Sequence, residues 1–151
     1  MDQNLRELYQ EIILDHSRHP RHFGALTGAN HVAEGFNPLC GDRVKVYLKV
    51  DDQDRITDVS FEGRGCAISV ASASLMTEML KGRNIKDAET LMDGFVHLVK
   101  GEDVPGLGAD DREQLEVMAG VSAFPMRVKC ATLAWHAMKA ALDDQPVAKT
   151  E

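Results

Sequence analysis

With 151 residues, of which 44% are apolar and 27% charged, the chain has the size and composition of one ordinary globular domain and lacks the low hydrophobicity that keeps a chain disordered. Acidic residues outnumber basic ones by 24 to 17, and the formal charge of -7 argues against nucleic acid as a partner, because phosphate binding draws on Lys and Arg. The N-terminus has no basic flank followed by an apolar block, and no apolar run is long enough to span a bilayer; the chain reads as unprocessed, cytoplasmic and not membrane-embedded.

Along the chain, Leu5, Leu8, Tyr9, Ile12 and Ile13 mark one face of an amphipathic helix over residues 2–19, which Pro20 ends. His16, His19 and His22 tempt as a ligand set, but Pro20 interrupts the backbone between them and the run is Arg-rich, so a solvated basic face is the reading. A weakly patterned strand is expected near residues 31–36. Val44, Val46, Leu48 and Val50 alternate with polar residues, the period of a half-buried strand. Residues 51–54 supply a turn to a second strand through Ile56, Val59 and Phe61.

After Gly65 the period changes to that of a helix through Ile68, Ala71, Leu75 and Met79, stopped at Gly82. Asn84 is placed to cap a second helix ending before Gly101. Residues 101–111 read as a loop, and Leu115, Met118 and Ala119 as a short helix. A final Ala-rich helix spans 127–142, with His136 and Trp135 as packing or surface residues, before a frayed, flexible tail at 144–151. Strands first and helices afterwards give an α+β fold: one domain over 1–151, with a small three-stranded antiparallel sheet and helices packed on one face.

The three cysteines are too few, too widely spaced and odd in number for a secreted disulfide framework, which favours a reduced compartment. Cys40 sits in the turn-rich Asn37-Pro38-Leu39-Cys40-Gly41-Asp42, where a carboxylate can reach the same ion. Cys66, in Gly63-Arg64-Gly65-Cys66-Ala67, falls between a strand end and a helix start, where free N–H groups favour negative charge on sulfur. Cys130 is placed in the first turn of the last helix, after Arg127 and Lys129. Each thiol thus reads as lying at an element boundary. Spacing alone leaves two readings open: three structural thiols, or a site assembled by convergence of distant segments.

The segments Leu8 to Arg21, Asn37 to Asp42, Gly63 to Ser74 and Arg127-Val128-Lys129-Cys130-Ala131 resemble the SufU and IscU proteins of iron-sulfur cluster assembly, which are related to the N-terminal part of NifU. The resemblance runs over nearly the whole chain and implies helices on a three-stranded sheet. It implies Cys40, Asp42, Cys66 and Cys130 as metal ligands, three thiolates and a carboxylate suited to zinc, with Arg127 and Lys129 as supporting cations that offset their charge. Lys129 stands where IscU scaffolds carry histidine and, when charged, offers no lone pair. The segment 101–118 lengthens the path between the second and third cysteines, and Phe124-Pro125-Met126-Arg127 replaces the Pro-Pro-Val-Lys of the scaffolds. Both features look like SufU. The function so implied is a zinc-dependent sulfur carrier whose Cys40, on the exposed turn, takes persulfide sulfur from a SufS-type cysteine desulfurase and delivers it to downstream iron-sulfur assembly proteins. Two alternatives stand beside it: a scaffold holding a transient iron-sulfur cluster on the same ligands, and a zinc-stabilised activator of the desulfurase.

Overall fold

The computed structural model describes residues 3–38, 41–104 and 106–149. In chain order its elements are α1 (Gln3–Arg18), β1 (His31–Asn37), β2 (Asp42–Val50), β3 (Ile56–Arg64), α2 (Ala67–Leu80), α3 (Ile85–Val99), α4 (Ala109–Leu115), a 3-10 segment (Glu116–Ala123), α5 (Pro125–Leu142) and β4 (Val147–Lys149). Alternation along β2 buries Val44, Val46, Leu48 and Val50 and leaves Arg43 and Lys49 exposed, so the strand turns one face to the helices and one to solvent. β1 and β3 flank it antiparallel, with Asn37 opposite Asp42 and Phe61 opposite Val46. At the β2–β3 turn the Asp51 carboxylate accepts from the backbone N–H of Gln53 and Arg55, both at 2.9 Å, a side-chain turn of the kind aspartate favours.

The sheet has four strands rather than the expected three, in the order β3-β2-β1-β4. Val147–Lys149, inside the stretch read as a frayed tail, pairs parallel to β1 with Val147 opposite Glu34. Three residues are too few to show a period, and the pairing is parallel and long-range, so nothing local announces it. Within the stretch read as a loop, α4 begins at Ala109.

α2 and α5 lie on the sheet, and α5 closes on β1 because Gly35 leaves room: a Cβ there would sit 3.2 Å from both Ala137 Cβ and Leu133 Cδ1. Trp135 is fully buried, stacks on Phe95 at 4.8 Å and donates its indole N–H to Ser72 Oγ at 3.1 Å, satisfying the one polar atom it carries into the core. α1 covers the outer side of α2, and His16 is buried there rather than solvated, with Nδ1 2.7 Å from Ser74 Oγ. His22 bonds Thr77 and His19 is exposed, so the three histidines do not converge. Among the described residues no helix is long and apolar enough to cross a membrane.

Candidate metal centre

One end of the sheet gathers the start of β2, the end of β3, the start of α2 and the first half of α5. Asp42 opens β2 on the inward-facing phase shared with Val44 and Val46 and is only 3% exposed. β3 ends at Arg64 and α2 begins at Ala67, which makes Cys66 the N-cap of α2, with an extended backbone. Its N–H donates to Asp42 Oδ1 at 3.1 Å, and its Sγ lies 3.6 Å from Asp42 Oδ2. The Ser69 N–H points at the same sulfur from 3.4 Å, so a thiol fills the acceptor role that serine or aspartate usually takes at a helix start. Gly65 makes the approach possible, since a Cβ there would stand 2.6 Å from Asp42 Oδ1. Gly63 serves the strand pair in the same way, for a Cβ at φ +155° would meet the Arg43 carbonyl oxygen at 2.2 Å.

Cys130 departs from the sequence reading. α5 starts at Pro125, not Arg127, so Cys130 lies in its second turn, 2% exposed, with its S–H directed at the Met126 carbonyl oxygen 3.8 Å away. Proline at the first helical position, its missing N–H costing nothing there, is the signal that places the start earlier. Cys130 is therefore a buried helix-face thiol rather than one at an element boundary. Cys40 lies outside the described residues; the chain that carries it joins Asn37 to Asp42, which are opposite each other in register.

The structure brings three of the four expected ligands together: one oxygen of Asp42 and the sulfurs of Cys66 and Cys130 all lie within 4.8 Å of one another. Ligand atoms around a tetrahedral zinc, with bonds of about 2.0–2.3 Å, stand roughly 3.3–3.8 Å apart, and the 3.6 Å between Cys66 Sγ and Asp42 Oδ2 falls in that range. Among the described residues no Lys, Arg or His pairs with the Asp42 carboxylate, whose only partners are one backbone N–H and one thiol. A buried carboxylate so poorly compensated, beside two soft sulfur donors, is a donor set with room for a cation.

Arg127, exposed and one turn before Cys130, serves the two sulfurs. Its guanidinium is held above its ordinary pKa chiefly by the charge of Cys66 and a hydrogen bond to it, and then by the same two influences from Cys130. Lys129 is half-buried on the same helix. Sequence reasoning missed a cleft of about 850 Å3 between α1 and the 3-10 segment, with Cys66, Ile68, Val121, Phe124 and Arg127 in its wall. Phe124 and Met126 stand 63% and 69% exposed beside it; apolar residues bracketing Pro125 at a helix start were the available signal.

Residues 8–131 match the model of the NifU-like N terminal domain. The chain is 41% identical over 138 residues to the iron-sulfur cluster assembly scaffold protein IscU of Streptococcus pyogenes serotype M1, covering 91% of this chain and 84% of that protein. It is also 41% identical over 136 residues to the zinc-dependent sulfurtransferase SufU of Bacillus subtilis strain 168, covering 90% of each. Among solved structures it resembles an iron-sulfur cluster assembly scaffold protein for the SUF system from Fervidobacterium islandicum AW-1, with a TM-score of 0.81 and 34% identity, over 93% of this chain and 99% of that one.

Proposed function

This chain belongs to the NifU-like N terminal domain family of iron-sulfur cluster assembly proteins, and from that premise we propose that it is a zinc-dependent sulfur carrier, loaded on Cys40 by a cysteine desulfurase of the SufS type. The observation that carries the reading is the buried Asp42 carboxylate, paired with no Lys, Arg or His among the described residues, with an oxygen within 4.8 Å of the Cys66 and Cys130 sulfurs. Zinc would be held by these three residues together with Cys40, and when bound it supplies the positive charge that balances their negative donors. Arg127 offsets part of the charge on Cys66 and Cys130, the two thiols that would anchor the metal. Lys129 in place of an imidazole leaves the donor set at three thiols and a carboxylate.

In the transfer step the Cys40 thiolate attacks the outer sulfur of the donor's persulfide. The donor's S–S bond breaks, its cysteine leaves as a thiolate, and Cys40 becomes the persulfide with no net oxidation. The sulfur then passes to downstream iron-sulfur assembly proteins in the reducing cytoplasm. With sulfur-labelled cysteine and the desulfurase, the wild-type chain takes up label and Cys40→Ala takes up none; label on Cys40→Ala rejects the assignment.

A second reading is favoured by the equal identity to the Streptococcus scaffold: the same residues would cradle a transient iron-sulfur cluster as cargo. Metal analysis of protein purified without added metal separates the two, about one zinc per chain for the carrier and iron with sulfide for the scaffold. If the chain is only an activator, Cys40→Ala that keeps its zinc still stimulates the desulfurase.

A further inference from the structure

Ser72 sits in the middle of α2, fully buried between Ala71 and Ala73, where alanine would be the better helix former and would carry no polar atom into the core. Inside a helix a hydroxyl ordinarily bonds a carbonyl one turn back, as Thr77 does to Ser74 and Thr90 to Lys86. That of Ser72 leaves its own helix and donates to the Ala131 carbonyl oxygen of α5 at 2.5 Å. The direction of this bond is fixed by Trp135, whose Nε1 lies 3.1 Å from the same oxygen and can only donate. The Ser72 oxygen therefore accepts from the indole, and its own proton is left for Ala131. The indole ring is held in turn by its stack on Phe95 of α3. The carbonyl so gripped belongs to the residue that follows Cys130. On the α2 side, Ser69, one turn before Ser72, aims its N–H at Cys66 Sγ from 3.4 Å. The Ser72 bond thus ties together the two helices that carry the Cys66 and Cys130 sulfurs, one residue from the second of them.

We propose that Ser72 is a positioning residue of the metal centre: by clamping α5 to α2 at Ala131 it sets the separation of the Cys66 and Cys130 sulfurs. This role rests on the zinc site of the reading above. Cys66 is fixed at the start of α2 by the Asp42 carboxylate and the Ser69 N–H, whereas Cys130 rides on α5 and its sulfur moves with any shift of that helix. Packed helices stand about 8–10 Å apart according to the side chains between them, a spread of about 2 Å, while a metal site tolerates only about 0.2 Å in its bond lengths. Packing of small apolar side chains such as Ala131 and Ala134 has no preferred direction and leaves that spread open. A hydrogen bond has a narrow range of length and angle, and one placed next to the ligand closes it. Ser72 thereby acts as other groups do that orient ligands from behind, through the backbone of α5 rather than on the ion.

Zinc affinity of the full chain, measured by competition with a chromophoric chelator, tests the role together with the visible spectrum of the cobalt-loaded chain. Ser72→Ala should raise the zinc Kd roughly tenfold or more and weaken the cobalt bands that mark tetrahedral thiolate coordination. It also leaves the indole N–H bare in the core and should lower the melting temperature, so two variants control for stability alone. Ser74→Ala removes an equally buried hydroxyl from the same helix, one with other partners. Trp135→Phe gives up the indole N–H and ring volume but keeps the bond from Ser72 to Ala131. Both should melt lower and yet hold the zinc Kd within about twofold of the wild type, with the cobalt spectrum unchanged. A zinc Kd and cobalt spectrum unaltered in Ser72→Ala overturn the positioning role while the zinc site stands. Kd values that rise in all three variants in step with the loss of melting temperature overturn it as well, since stability would then be the whole effect. A wild-type chain that takes up neither zinc nor cobalt rejects the zinc reading, and the role falls with it.

Discussion

Helix α2 carries a buried polar cluster toward each end, and the two are built on opposite terms. Toward its C-terminal end, Ser74 Oγ accepts from the Arg21 N–H at 2.8 Å and lies 2.7 Å from His16 Nδ1. Thr77 Oγ1 donates to the Ser74 carbonyl oxygen at 2.7 Å, and His22 Nδ1 lies 3.0 Å from the same hydroxyl. At its N-terminal end, the Asp42 carboxylate has among the described residues one backbone N–H at 3.1 Å and the Cys66 sulfur at 3.6 Å, while Arg127 stands by the sulfurs of Cys66 and Cys130. A closed network of short bonds holds the chain after α1 onto α2; the other, whose carboxylate pairs with no described Lys, Arg or His, is disposed to take up a cation. Completeness of hydrogen bonding, more than burial, separates the polar group that serves the fold from the one that serves chemistry.

The largest effect expected from this contrast is at Asp42. Zinc at about a thousandfold over its Kd should stabilise the wild-type chain by roughly 4 kcal/mol, which for a chain of this size raises the melting temperature by roughly 10 °C. Asp42→Asn should lose most of that gain, yet melt at or above the wild type when both are metal-free, because it removes a buried carboxylate that no described cation pairs. A metal-free Asp42→Asn that melts well below the wild type would mean that the carboxylate is already satisfied by the protein, and the contrast between the clusters would collapse.

Ser74→Ala comes next, and its effect should have the opposite character. It strips His16 Nδ1 and the Arg21 N–H of a shared partner in a fully buried place and should cost about 1–3 kcal/mol. The zinc-induced rise in melting temperature should remain as in the wild type. Loss of that rise in Ser74→Ala would tie the two clusters together along α2 and break the division between them.

How much of this was legible beforehand follows from where each signal resides. β2 and the helix after Gly65 announce themselves through period, and the strand-to-helix junction at Cys66 through its glycines. Convergence of Asp42, Cys66 and Cys130 needs the register of β2 on β3 and the seating of α5, neither of which a one-dimensional pattern contains; resemblance to a family supplied it instead. The bond from Ser72 to Ala131 is hidden for the same reason. His16 was legible and was passed over: it continues the helical spacing of Leu5, Tyr9 and Ile12, which places it on the inward face of α1. Its neighbours His19 and Arg21 suggested solvent, and the period was the better guide.

His16 also gives the smallest of the expected effects. Burial, and after it the charge of Arg21, hold its pKa below the usual histidine value, against the opposing influence of Glu78 and Asp15. The Ser74 hydroxyl lies 2.7 Å from His16 Nδ1 while accepting from the Arg21 N–H, and His16 Nε2 stands 3.6 Å from Glu78 Oε1. A base whose folded pKa is depressed takes up its proton more readily in the unfolded chain, so stability rises with pH across the interval between the folded and unfolded values. The contribution is intact above the unfolded value of about 6.5 and is lost as pH falls through the lower folded one. Wild-type protein should therefore lose melting temperature between neutral pH and about pH 5, and His16→Gln should lose less over the same interval. His136 is shifted in the same direction by burial and Lys100, so part of the slope should persist in His16→Gln and vanish only when both are replaced. A slope unaltered by His16→Gln would show that the Ser74 cluster does not sense protons, leaving its role confined to packing α1 onto α2.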